Sequence, residues 1–158
     1  MPRRLRTEPD IEVQAASRSR PAPAVAHFRA WVRAALGPRR AGTVVVRLVD
    51  SPEARRLNQQ YRARDYVPNV LAFPAGWPLP QGGRHLGDVV ICLPVARREA
   101  RTQGKTLAAH CAHLTVHGVL HLLGLDHQQP ASARRMEARE VRVLRRMGLA
   151  NPYRTRSL

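Results

Sequence analysis

Cysteine, lysine, aromatic and acidic residues are all scarce in this chain, and each scarcity closes off an explanation. Cys92 and Cys111 are the two cysteines in 158 residues, too few and too isolated for a disulfide framework or a C-x-x-C metal knuckle. Each stands in apolar company, so buried reduced thiols are expected. The aromatics, Phe28, Trp31, Tyr61, Tyr66, Phe73, Trp77 and Tyr153, form no strand motif for stacking successive bases. No stretch approaches the roughly 18 to 20 apolar residues of a membrane span. The first two dozen residues, rich in Arg, Pro, Ser and Ala, lack an apolar signal-peptide core, and Glu8, Asp10 and Glu12 argue against a transit peptide. A soluble, cytoplasmic protein is expected.

What is abundant is arginine. Lys and Arg total 27 against 11 Asp and Glu, a net charge of +16, and Lys105 is the only lysine. Such a surface favours polyanions through phosphate contacts and counterion release. A base-biased genome also inflates Arg and Ala together, so charge alone does not decide for nucleic acid. The arginine-dense run with Arg134, Arg135, Arg139, Arg142, Arg145 and Arg146 fits either a phosphate-binding face or a merely solvated one.

The length suits one domain with a core that needs no disulfide support. Residues 1–24 read as a basic N-terminal segment in which 11–14 is a short edge strand or disordered, 25–153 as the folded domain, and 154–158 as a tail. An amphipathic helix is expected over 27–36 and a β-branched strand over 43–49. A helix follows to about Tyr61, opened by cap residues at Asp50 and Ser51. VLAF at 70–73 looks like a strand, 75–85 like a Pro/Gly-rich surface loop, and 86–93 like another strand. Three helices follow: one from Pro94 stopped by Gly104, a long one capped by Thr106, and a last one from Pro130 to about Met147. Helices alternating with strands predict an α/β or α+β fold, one mixed sheet of about four strands packed with helices.

The most specific feature is HGVLHLLGLDH, from His117 to His127. His117 and His121, four apart on a helix, point the same way. Gly124 can end that helix in the left-handed conformation, turning His127 back toward the pair. Three imidazoles with an open fourth position describe a catalytic rather than a structural zinc. Spacing alone would also pair His113 with His117. His113 and His121 cannot share an ion, because roughly 12 Å of helix rise separates them and zinc–nitrogen bonds are about 2.0 to 2.1 Å. The turn favours the C-terminal pair, leaving His113 as a supporting or core residue and His110 as neither. One zinc ion held by His117, His121 and His127 is expected.

A second cluster, Arg62, Arg64 and Asp65, falls between a helix and a strand. Arg62 is the candidate functional arginine, since a planar guanidinium can hold two phosphate oxygens and offset charge building on phosphorus, although composition alone favours reading it as one more surface arginine among many.

Taken together, HGVLHLLGLDH, LGDVVIC, YRARD followed by NVLAFP, and the closing MGLANPY resemble the YbeY endoribonuclease family of bacterial rRNA maturation factors, from about Thr43 to Tyr153. The resemblance implies a single-domain α/β fold with one zinc on His117, His121 and His127, and a catalytically important arginine at Arg62. It implies a cytoplasmic, single-strand-specific endoribonuclease that matures the 3′ end of small-subunit rRNA and serves ribosome quality control. The implied partners are rRNA, the small ribosomal subunit, ribosomal proteins and an assembly GTPase. Two segments depart from the family pattern. Tyr66-Val67-Pro68-Asn69 and Ala72 move a proline and lose two hydroxyls ahead of and within the strand, and 128–146 is basic where the family is often acidic.

Position 118 separates the rival functions. Metalloproteases with H-E-x-x-H place their general base there, whereas this chain has Gly118. A metzincin-like protease is thereby disfavoured, and a metal-assisted phosphodiesterase needs no base at that position. Asp126 either orients a ligand, relays a proton, points to solvent or caps a turn, and Asp88 is expected to be structural. The alternative from another class is a ribosome assembly factor whose zinc is structural.

Overall fold

A computed structural model describes residues 8–38, 41–80, 83–126 and 128–153. Four strands, β1 (Asp10–Ala15), β2 (Thr43–Val49), β3 (Val70–Pro78) and β4 (Arg84–Cys92), form one sheet in the order β1-β2-β4-β3. β1 and β4 run parallel to β2, while β3 is antiparallel to β4, so the sheet is mixed. The helices are α1 (Val25–Leu36), α2 (Ser51–Arg62), α3 (Leu93–Thr102), α4 (Leu107–Leu122) and α5 (Pro130–Arg146). None is long and apolar enough to cross a membrane among the described residues.

Strand alternation divides the core. Val44, Val46, Val89 and Ile91 face the main cluster with Phe28, Val32, Leu36, Val116, Leu120 and Met136. The opposite face carries Val49, Leu71, Val90 and Cys92, covered by Ala54 and Leu57 of α2. Cys92 and Cys111 are buried free thiols, and burial pushes both up, Cys111 to about 12, which makes them inert packing groups.

The segment 75–85 differs from its expected loop character. β3 continues to Pro78 and pairs Trp77 with His85 and Pro78 with Arg84 across a register shift after Pro74. The prolines are tolerated because β3 is an edge strand, where a missing N–H need not break a ladder. Their exposure is as expected.

α4 crosses the sheet and carries the histidines. Thr106 caps it, its hydroxyl accepting from the Ala109 N–H at 3.1 Å, and the helix ends at Leu122, with Gly124 turning at φ +92°. At Gly118 the helix touches β4 so closely that an added Cβ would lie 2.6 Å from Val89 Cγ1. The absence of a glutamate here is therefore a packing requirement as well as a chemical signature. Gly118→Ala is expected to destabilise the fold by about 1–3 kcal/mol through overpacking. Combining it with Val89→Ala should recover part of that loss in urea unfolding; simple additivity would show that the contact is not the cause.

Candidate metal centre

α2 and α4 meet at a cavity of about 310 Å³ lined by Asn58, Arg62, Tyr66, Ala72, His117 and His121, among others. The two histidines stand one turn apart on α4, with ring centroids 4.8 Å apart. His127 lies outside the described residues.

Arg62 is the last residue of α2 rather than part of the following connection. Its Nη2 donates to the Ala72 carbonyl at 2.5 Å, and its guanidinium sits 5.6 Å from the centre of the Phe73 ring. Ala63 then adopts the left-handed conformation at φ +54°, ending the helix. The turn beyond is latched to α2. Asn58, buried at 1% exposure, donates its side-chain amide to the Tyr66 carbonyl, and its own carbonyl accepts from the Arg64 N–H. The Asp65 carboxylate accepts from Arg55 Nε at 2.7 Å and from Gln59 Nε2 at 2.6 Å. A surface arginine is thus held at the cavity by backbone it does not belong to.

The sequence pattern did not single out Glu140. This carboxylate is fully buried on α5, with Oε1 2.5 Å from His117 Nδ1 and Oε2 3.1 Å from His113 Nε2. The Tyr153 hydroxyl also donates to Oε2. Burial by itself would raise the pKa of Glu140, but the hydrogen bonds from His113, His117 and Tyr153 outweigh it and hold the carboxyl down at about 2. Burial, reinforced by Glu140, pushes the Tyr153 phenol up, so it stays a donor. A signal for Glu140 existed. With Met136, Val143 and Leu144 it falls on the inward stripe of a helix whose six arginines are all exposed.

His113, His117 and Glu140 bring three donor atoms within 4.8 Å of one another, a set that could in principle hold a cation. The geometry favours mutual hydrogen bonding. Two ligands on one tetrahedral zinc stand roughly 3.3 Å apart when each bond is about 2.0 to 2.1 Å, whereas Glu140 and His117 approach to 2.5 Å. A carboxylate only accepts, so Nδ1 of His117 is the donor to Glu140, and in the neutral ring the lone pair then lies on Nε2, as ligation through that atom requires.

The remaining polar residues have other duties. His110, 3% exposed, pairs through Nε2 with Glu99 Oε1 at 3.0 Å, and burial lowers its pKa. Asp126 accepts from the Gln128 N–H at 3.2 Å. Asp88 lies within β4, 3.4 Å from His85 Nε2. Asp50 precedes α2 without capping it by its side chain; it binds Ser17 Oγ at 2.5 Å and the Arg18 N–H at 3.0 Å instead.

Comparison with known proteins gives a consistent result. Residues 13–148 match the family model described as Endoribonuclease YbeY. Proteins of that name from Stenotrophomonas maltophilia and Thiobacillus denitrificans are 53% and 51% identical, over 83% and 90% of this chain and 84% and 95% of their own. A third, from Alkalilimnicola ehrlichii, is 52% identical over 92% of this chain and 91% of its own. A solution structure of a Thermotoga maritima protein shares the fold at 20% identity, with a TM-score of 0.51 over 90% of this chain and 99% of that one.

Proposed function

Because the chain belongs to the YbeY endoribonuclease family, we propose that it is a zinc-dependent endoribonuclease that cuts single-stranded RNA in maturing the 3′ end of small-subunit rRNA. The observation that carries this reading is the shared cavity of Arg62, His117 and His121. His117 and His121, with His127 as third ligand, would hold the ion, and the donor set suits it: imidazoles, one fixed by a carboxylate on its other nitrogen. When bound, the ion supplies Lewis acidity toward a phosphate oxygen and a nucleophile available near neutral pH.

The chain's own residues do the rest. Arg62 donates to the scissile phosphate and offsets the charge that develops there, with the Ala72 carbonyl fixing its direction. Arg64 lines the same cavity and adds positive charge beside it. Exposed arginines of α5 gather the polyanion without reading its bases. Gly118, where a protease keeps its base, leaves peptide hydrolysis without a general base on the helix.

Tyr66 also lines the cavity and is 52% exposed, so its ring offers a stacking face that a splayed base can use and a paired one cannot. Tyr66→Ala is expected to weaken binding of a short single-stranded RNA by about 5- to 160-fold, equivalent to ~1–3 kcal/mol of stacking, with Tyr66→Phe close to wild type. Fluorescence anisotropy at fixed salt reads this; equal affinities in all three proteins would remove Tyr66 from the substrate path.

The function itself is tested by incubating purified protein with a single-stranded RNA and with its duplex, before and after chelation and zinc return. Cleavage of the single strand alone, lost on chelation and restored by zinc, is expected. Metal-independent cleavage, or none from the zinc-loaded protein, contradicts the proposal. Ribosomal partners follow from this reading: co-sedimentation with the small subunit is the expected association.

A further inference from the structure

We propose that the Glu140 carboxylate on α5, clamped by Tyr153 and His113, is a positioning residue that holds His117 in the ring orientation and Nδ1–H tautomer needed for ligation through Nε2. The inference rests on the metal reading of His117 and His121 given above.

The juxtaposition is built from three separate pieces of chain. α5 delivers Glu140, α4 delivers His113 and His117, and the segment after α5 delivers Tyr153. That last segment folds back by identifiable means. Gly148 turns at φ +77°, the Leu149 N–H bonds to the Leu144 carbonyl at 2.9 Å, and Asn151 Oδ1 accepts from the Tyr153 N–H at 2.8 Å. The MGLANPY motif thereby returns the phenol to the buried carboxylate.

Each donor also has an assigned direction. His113 Nδ1 is buried with no hydrogen-bond partner among the described residues, so a proton there would be unsatisfied. Nε2 of His113 faces a carboxylate oxygen, which only accepts, so that nitrogen donates to Oε2. With Tyr153 and His113 both on Oε2, Oε1 is directed at His117 Nδ1. A carboxylate in this place fixes the tautomer of a ligating histidine and raises its basicity, and loss of such a partner typically costs about 10- to 100-fold in metal affinity.

The test measures zinc affinity by competition with a chromophoric chelator in the full chain, together with the ring-nitrogen NMR shifts of His117 in metal-free protein. Glu140→Gln keeps the shape and one acceptor but removes the charge; Tyr153→Phe removes one donor and leaves the carboxylate. Glu140→Gln is expected to bind one zinc per chain about 10- to 100-fold more weakly, with His117 no longer confined to the Nδ1–H form. Tyr153→Phe should shift both readouts in the same direction by less. Wild-type affinity and tautomer in both variants would overturn the proposal. So would a folded Glu140→Gln protein that takes up no zinc at any concentration, because Glu140 would then be a ligand itself. Wild-type protein that binds no zinc yet keeps His117 as Nδ1–H, with Glu140→Gln losing it, would sink the metal reading and leave the hold of Glu140 on His117 standing.

Discussion

Arg62→Ala is expected to lower kcat for cleavage of single-stranded RNA by about 10²- to 10³-fold, the usual cost of removing one donor aimed at developing charge. Its zinc content should stay at the wild-type level. Arg62 lies at the end of α2, exposed to solvent, and its contacts are the Ala72 carbonyl and the Phe73 ring rather than the core. Truncation therefore removes a charge from the cavity without opening a packed interior. Arg62→Lys should recover little, since a point charge cannot reproduce the bidentate fork. The measurement is single-turnover cleavage with metal analysis on the same samples. If Arg62→Ala cuts at the wild-type rate, the cavity is not the place where phosphate reacts. The rival assembly-factor reading predicts that outcome in cells, with rRNA maturation intact.

The second large effect concerns the metal. His121→Ala is expected to lose zinc and about 10³-fold or more in cleavage, since Lewis-acid stabilisation is worth several kcal/mol. It should also lose the stabilisation that binding confers. For wild-type protein, free zinc at 100 times its Kd adds ~2.7 kcal/mol, which for a chain of this size raises Tm by roughly 5–10 °C. His121→Ala should show no such rise, whereas Arg62→Ala should show all of it. A zinc-dependent rise that persists undiminished in His121→Ala would move the ion elsewhere, with the cluster of His113, His117 and Glu140 the first place to look.

These expectations draw on residues that differ in how plainly the sequence displayed them. His117, His121 and Gly124 are local, so helix periodicity and a single glycine were enough to anticipate a helix ending in a left-handed turn. β2, β4 and the mixed α/β layer were readable for the same reason: β-branched runs between capped helices. The β3 extension to Pro78 was not, because its ladder depends on a partner strand and on lying at the sheet edge, neither of which is local. Glu140 was hidden by its surroundings. It is one of two acids in an arginine-rich helix, and only its alignment with Met136, Val143 and Leu144 shows that it points inward. The cavity was beyond reach for a similar reason. Arg62 comes to line one cavity with His117 and His121 only when α4 packs on the sheet at Gly118, where the absence of a side chain allows the approach to Val89.

The most direct test of one site that binds zinc and cuts RNA is the mapping of small-subunit rRNA 3′ ends. The cells compared would carry wild type, Arg62→Ala or His121→Ala as their only copy. Mature 3′ ends with the wild type, and unprocessed precursor with both variants while purified Arg62→Ala still carries one zinc per chain, is the result predicted. Fully mature ends with Arg62→Ala, in a folded and zinc-loaded protein, would contradict it.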